Sequence, residues 1–234
     1  MSDAALLERA ADCYLRGGLP SEAARCLREA GAYRRSAELW LGLGEFMEAA
    51  ADYVSAGMTD LAVWVIVHEA GDAATARAVA LMPWGGGAEA SQGSRWDQVR
   101  LRPARVLSQR ETSDADRSAR DSSLRMRLAL ARCDIAEGRS EREPLAALAA
   151  AMDFLASPSP VHDRIVEGWA VATAESMRRY DQVALLFAAA VRGGRGGAAQ
   201  RWTDWAARVL RCEITLPDPP ADDRLQTVRP LRQG

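Results

Sequence analysis

An all-α repeat array is the fold class this chain predicts, and three observations predict it. Alanine is abundant while aromatic residues make up only 6% of the 234 residues. That composition favours helices, because alanine gives up no side-chain entropy on entering one. Glycine recurs at a fixed interval through the first third: Gly18, Gly31, Gly44 and Gly57 stand 13 residues apart, and Gly71 follows after 14. Between the glycines, small and large side chains recur in fixed columns, which marks a structural repeat.

The columns define the unit. Directly before each glycine stand Gly17, Ala30, Leu43, Ala56 and Ala70, and four before it Tyr14, Leu27, Trp40, Tyr53 and Val67. Seven before it the first four units carry Ala11, Ala24, Ala37 and Ala50, and the fifth has Trp64. Ten or so residues make about three helical turns, roughly 15 Å long. The small and the large apolar residue are three apart, so they share one face. Glycine follows the helix end, where a left-handed backbone is needed. Pro20 and Ser21 suit a first turn, and Thr59–Asp60 and Asp72 suit N-caps. Loops this short force antiparallel neighbours, so residues 1–82 are predicted to hold six short helices, the last over 72–81, paired as three hairpins. One hairpin cannot bury its apolar face alone, whereas stacked hairpins can.

The run AADCYLRGGLPSEAARCLREAG resembles the tetratricopeptide-like α-solenoids, especially the short-helix variety of coat and intraflagellar-transport proteins. The units are shorter than the 34-residue tetratricopeptide repeat. The resemblance covers about the first third of the chain and implies a protein-binding function.

The pattern disappears over 83–117, a Gly- and Arg-rich loop or insertion. PWGGGAEASQGS has no apolar periodicity, and the strip Arg95–Arg110 carries Trp96 with Arg100, Arg102 and Arg105. It reads either as a basic docking strip, since arginine offers bidentate contacts to carboxylate or phosphate, or as a crossover whose Val99, Leu101, Val106 and Leu107 pack on the second half. A second helical repeat segment is predicted over 118–215. Its first helix carries the stripe Leu124, Leu128, Ala131 and Ile135, and its third Ile165, Trp169, Ala172 and Met177. The last bears Trp202, Trp205 and Val209. Those tryptophans read as core, with a partner-binding patch as the alternative. Residues 216–234 form a proline-rich tail, expected to be disordered. The fold is thus a helical-hairpin α-solenoid in two segments joined by a long loop.

Several functions find no support. Net charge is −2, so the chain as a whole has no pull toward nucleic acid or anionic lipid. Its 30 basic residues are all arginine, and the glycine clusters at 85–87 and 193–197 lack the lysine and spacing of a phosphate loop, so both read as linkers. No signal pattern or membrane-length apolar run is present, which places the protein in the cytoplasm. The four cysteines form no ligand cluster and are expected to be buried free thiols. His68 sits near a helix end, where positive charge suits the dipole, and His162 lies at a helix start. No nucleophile elbow occurs.

These readings converge on a non-enzymatic scaffold or adaptor that binds a protein and uses no cofactor or metal. Candidate contacts are Arg34 and Arg35 at the start of the third helix, with Trp96, Arg100, Arg102 and Arg105 in the strip. An alternative comes from SMRRYDQVALLF, which resembles helical components of bacterial MoxR–vWA-type multi-gene systems and implies an accessory subunit of an ATPase/vWA regulatory or defence system. A third reading is nucleic-acid binding through Arg95–Arg110.

Overall fold

The computed structural model describes residues 2–82, 114–157 and 164–216, with side chains in the second stretch from residue 121 onward. Among these residues there are helices and no strands. The first segment holds α1 (Asp3–Arg16), α2 (Pro20–Glu29), α3 (Tyr33–Gly42), α4 (Phe46–Ser55), α5 (Thr59–His68) and α6 (Ala73–Ala80). The second holds α7 (Asp114–Ala136), α8 (Arg142–Ala156), α9 (Arg164–Ser176), α10 (Tyr180–Arg192) and α11 (Ala198–Trp205), which runs on into one π-helical turn, Ala206–Leu210.

The glycine interval works through one hydrogen-bonding motif. Gly18, Gly31, Gly44, Gly57 and Gly71 adopt φ values of 72°, 78°, 77°, 75° and 72°. In the first four units the N–H after the glycine donates to the carbonyl of the large residue four before it. Leu19 reaches Tyr14 at 2.9 Å, Ala32 reaches Leu27 at 2.8 Å, Glu45 reaches Trp40 at 3.0 Å and Met58 reaches Tyr53 at 2.8 Å. Such a bond caps carbonyls that the helix end leaves without partners. The same residue packs the core and anchors the turn, so both columns recur together. In the longer fifth unit the Asp72 N–H reaches back to Ile66 at 3.0 Å instead.

Arg178 makes the same turn without a glycine. Its φ is 56°, its N–H donates to the Glu175 carbonyl at 2.9 Å, and the Arg179 N–H donates to Ala174 at 2.9 Å. A β-carbon at that φ costs about 1 kcal/mol. Arg178→Gly is therefore expected to stabilise the protein by about 1 kcal/mol in urea melts, with unchanged helix content by circular dichroism.

Consecutive helices pack against each other throughout, α5 and α9 flank α7, and α8 lies beside α10. Ion pairs tie alternate helices in the first segment. Arg35 of α3 reaches Glu8 and Asp12 of α1, and Arg28 of α2 reaches Glu48 and Asp52 of α4. The small-residue column, Ala11, Ala24, Ala37 and Ala50, is fully buried. Its large partners Leu27, Trp40, Tyr53 and Val67 are buried too, whereas Tyr14 is exposed, because α1 packs closely on α2 alone.

One apolar core runs from Ala24 to Ala206, so the two segments share it. The junction is α5, whose residues Ala62 to Val67 are all buried because α4, α6 and α7 surround it. A helix apolar on every side belongs in such a position. Polar ties reinforce the junction. Arg77 of α6 pairs with Asp134 at 2.7 Å and Glu137 at 3.1 Å on α7. Arg125 of α7 pairs with buried Asp60 at 2.5 Å, and the Ser122 hydroxyl donates to Asp60 at 3.3 Å.

Several expectations need correcting. Asp60 is a junction residue and caps nothing: Met58 precedes α5 and makes no side-chain cap bond. Asp72 does cap α6, accepting from the Thr75 N–H at 2.9 Å. In α9 the buried residues are Val166, Glu167, Trp169, Ala170, Thr173 and Ala174, with Ile165 exposed. Packing by α7, α8 and α10 moves the buried arc by one position. Of the cysteines only Cys133 is buried, and burial pushes its thiol pKa up to about 11. Cys13 and Cys212 are exposed, because each lies near an end of the array with little packed over it.

Candidate functional site

A cleft opens between α9 and α11. Helix α11 packs closely on α10 but stands off from α9, whereas α9 itself packs closely on α7. The gap holds about 320 Å³. Val171, Phe187 and Trp205 give it apolar walls, Gly168 leaves it open on the α9 side, and Glu167, Arg201, Asp204 and Arg208 bring charge to its lining. The α11 contributors fall at 201, 204, 205 and 208, one face at helical spacing.

Side chains tie the two helices across the gap. Arg201 makes a bidentate pair with Glu167, Nε to Oε1 at 2.6 Å and Nη2 to Oε2 at 2.7 Å, and its Nη1 donates to the Gly196 carbonyl at 2.7 Å. Glu167 is only 6% exposed. The hydrogen bonds to Glu167 raise the Arg201 pKa above its ordinary value, and the bidentate contact ties α9 to α11 across the gap. The Trp205 Nε1–H donates to Glu175 at 2.6 Å, fixing the indole. Phe187 meets Trp202 and Trp205 with ring centroids 6.3 and 6.0 Å away. Val171, Phe187 and Trp205 supply the apolar part of the lining, and of its charged groups Glu167 and Arg201 pair with each other. That arrangement suits an apolar side chain of a partner.

The sequence-predicted contacts lie elsewhere. Arg34 is exposed and pairs with Glu38 of its own helix at 3.0 Å. Arg35 is a structural tie to Glu8 and Asp12, at 2.9 and 3.5 Å. Trp96, Arg100, Arg102 and Arg105, the rest of the strip Arg95–Arg110, His162 and the tail from 217 onward fall outside the described residues. Trp169 and Trp205 are buried and Trp202 is partly so, in keeping with the core reading, although Trp205 also walls the cleft. Positive charge is not favoured at His68: its pKa is lowered by burial, and next by Arg132. The 193–197 cluster is no linker. Arg195 within it is buried and donates to the carbonyls that end α8, Phe154 at 2.8 Å, Ser157 at 3.2 Å and Leu155 at 3.3 Å.

The cleft residues carried little signal. Glu167 has its partner Arg201 34 residues on, so no local spacing announces the pair. Among the described residues no three His, Cys, Asp or Glu side chains come together as a metal site, and no helix is long and apolar enough to cross a membrane. Compared with known proteins, the chain matches no family model, no curated protein and no solved structure.

Proposed function

We propose that the chain is a non-enzymatic protein-binding scaffold that receives a partner's apolar side chain in the α9–α11 cleft. The observation behind this reading is the cleft itself, walled in part by Phe187 and Trp205, with a Glu167–Arg201 pair already satisfied. Buried aromatic pockets of this kind concentrate binding energy at protein interfaces. The stacked-helix architecture, and the tetratricopeptide-like resemblance of its first segment, fit the same role.

Gly168 allows a clean test. A β-carbon built there meets nothing within 4 Å, and the residue sits inside α9, where glycine lowers helix stability by roughly 1 kcal/mol. Gly168→Leu should fill the cleft without unfolding the protein. Purified wild-type protein is expected to capture a specific partner from its native extract without nucleotide or metal. The variant should bind at least about tenfold more weakly, the loss of one interface anchor, while melting no lower than wild type. Arg34→Glu should bind normally. Equal capture by Gly168→Leu would remove the cleft from the interface, and failure to capture any protein would defeat the scaffold reading. A recovered ATPase or vWA protein would identify the chain as an accessory subunit of such a system. Salt-sensitive nucleic-acid binding that is lost on replacing Arg100, Arg102 and Arg105 would favour the nucleic-acid reading instead.

A further inference from the structure

The first unit of the repeat shows a face that the next three units hide. In the second unit, Ala23 and Leu27 of α2 form one cluster with Ala11 of α1, and Cys26 packs against it. One repeat earlier the same columns hold Ala10, Tyr14 and Cys13. Ala23, Ser36 and Ala49 are fully buried, whereas Ala10 is partly open. Leu27, Trp40 and Tyr53 are buried, whereas Tyr14 is 39% exposed. Cys13 is exposed as well, and Leu6, on the same side of α1, is 49% exposed. A repeat array that ends against water needs a polar outer face, and this end is apolar. The columns themselves indicate what fits it: a helix laid along α1 as α1 is laid along α2.

The face is also its own complement. Leu6 stands four residues before Ala10 and Tyr14 four after it, so the three lie on one side of the helix. Set antiparallel on a second copy, with Ala10 against Ala10, α1 brings Leu6 of each protomer onto Tyr14 of the other. Alanine at the centre lets the helix axes close to about 8 Å, the short end of helix packing distances. The charges obey the same two-fold. Asp3 stands seven residues before Ala10 and Arg16 six after it, so each acid comes beside the other protomer's arginine. The Arg16 guanidinium leans toward this side, since its Nη2 donates to Cys13 Sγ at 3.2 Å. Among the described residues neither Asp3 nor Arg16 pairs with an opposite charge. Antiparallel pairing also places opposite ends of the two helix dipoles together, whereas parallel pairing would set Asp3 against Asp3.

We infer that the open face of α1 is an interface between two copies of this chain, which pair antiparallel through α1 about Ala10. Such a two-fold contact closes on itself and stops at two chains. One helix pair buries less than a standard interface, so association is expected at chain concentrations on the order of 100 µM. Sedimentation equilibrium of the full chain should show the mass rising from one chain to two across that range. Leu6→Glu and Tyr14→Glu put a charge into the apolar contact at exposed positions. Each should weaken association at least about tenfold and leave the melting temperature unchanged. A cross-link tests the geometry separately. In a Cys13→Ser, Cys212→Ser background, Ala10→Cys sits on the two-fold axis and should give a disulfide-linked dimer under mild oxidation. Leu185→Cys, at an exposed position on α10, should not. The cross-link decides even where a glutamate variant folds poorly. A chain that stays single at every concentration overturns the interface, as does association indifferent to both glutamates or growth beyond two chains. Linking through position 185 and not position 10 overturns it too.

Discussion

Gly193→Ala is expected to destabilise the protein by about 3 kcal/mol, near the upper end for forcing an atom into a packed site. A β-carbon at Gly193 would lie 1.9 Å from the Leu155 carbonyl oxygen and 3.0 Å from its carbon, both backbone atoms of α8. No rotamer relieves a clash with backbone, so α8 and α10 would have to separate, and their contact is part of the continuous core. The neighbouring residue supplies the control. Gly194 has φ +68°, and a β-carbon added there meets nothing within 4 Å. Gly194→Ala should therefore cost about 1 kcal/mol, from backbone conformation alone, and Gly31→Val or Gly44→Val at least that, since a branched side chain is worse at positive φ. Urea melts of the two alanine variants separate the effects. Equal losses would show that α10 does not need its close approach to α8.

Arg195→Ala is expected to cost about 3 kcal/mol as well, mostly through the acceptors it abandons. The side chain is 6% exposed, and it hydrogen-bonds the carbonyls of Phe154, Leu155 and Ser157 where α8 ends. Its guanidinium also lies 5.1 Å from the centre of the Phe154 ring. A helix C-terminus carries partial negative charge and unpaired carbonyls, so the cation meets both needs. Truncation leaves acceptors unsatisfied, each worth roughly 1–3 kcal/mol when buried, and removes the packing on Phe154. Arg195→Lys should recover only part of the loss, because one ammonium cannot span the three carbonyls as a planar fork does. Gly193 and Arg195 act on the same end of α8, so the double variant should lose less than the sum of the two. Full stability in Arg195→Ala, measured by denaturant and heat, would mean that α8 ends without its help.

The local part of this fold was written in the sequence. Helix lengths, the turns at Gly18, Gly31, Gly44 and Gly57, and the buried alanine column all depend on bonds spanning six residues or fewer. A 13-residue period exposes such bonds directly. The apolar run in α5 suits an enclosed helix, but only the tertiary structure makes it the junction of the two segments. What tertiary structure decided was the role of each charged residue and the place of the cleft. Arg34 and Arg35 are adjacent and chemically identical, yet one makes only a local pair and the other ties α3 to α1. Asp60 reads as a helix cap, but α7, 65 residues further on, places Arg125 against it. Arg195 reads as part of a flexible linker until α8 brings its end within reach. Trp64 and Trp169 stack although α5 and α9 flank a third helix. Helix formation answers to neighbours one turn away. The meeting of side chains tens of residues apart depends on how helices cross and how the array curves, and many small packing contacts set that jointly.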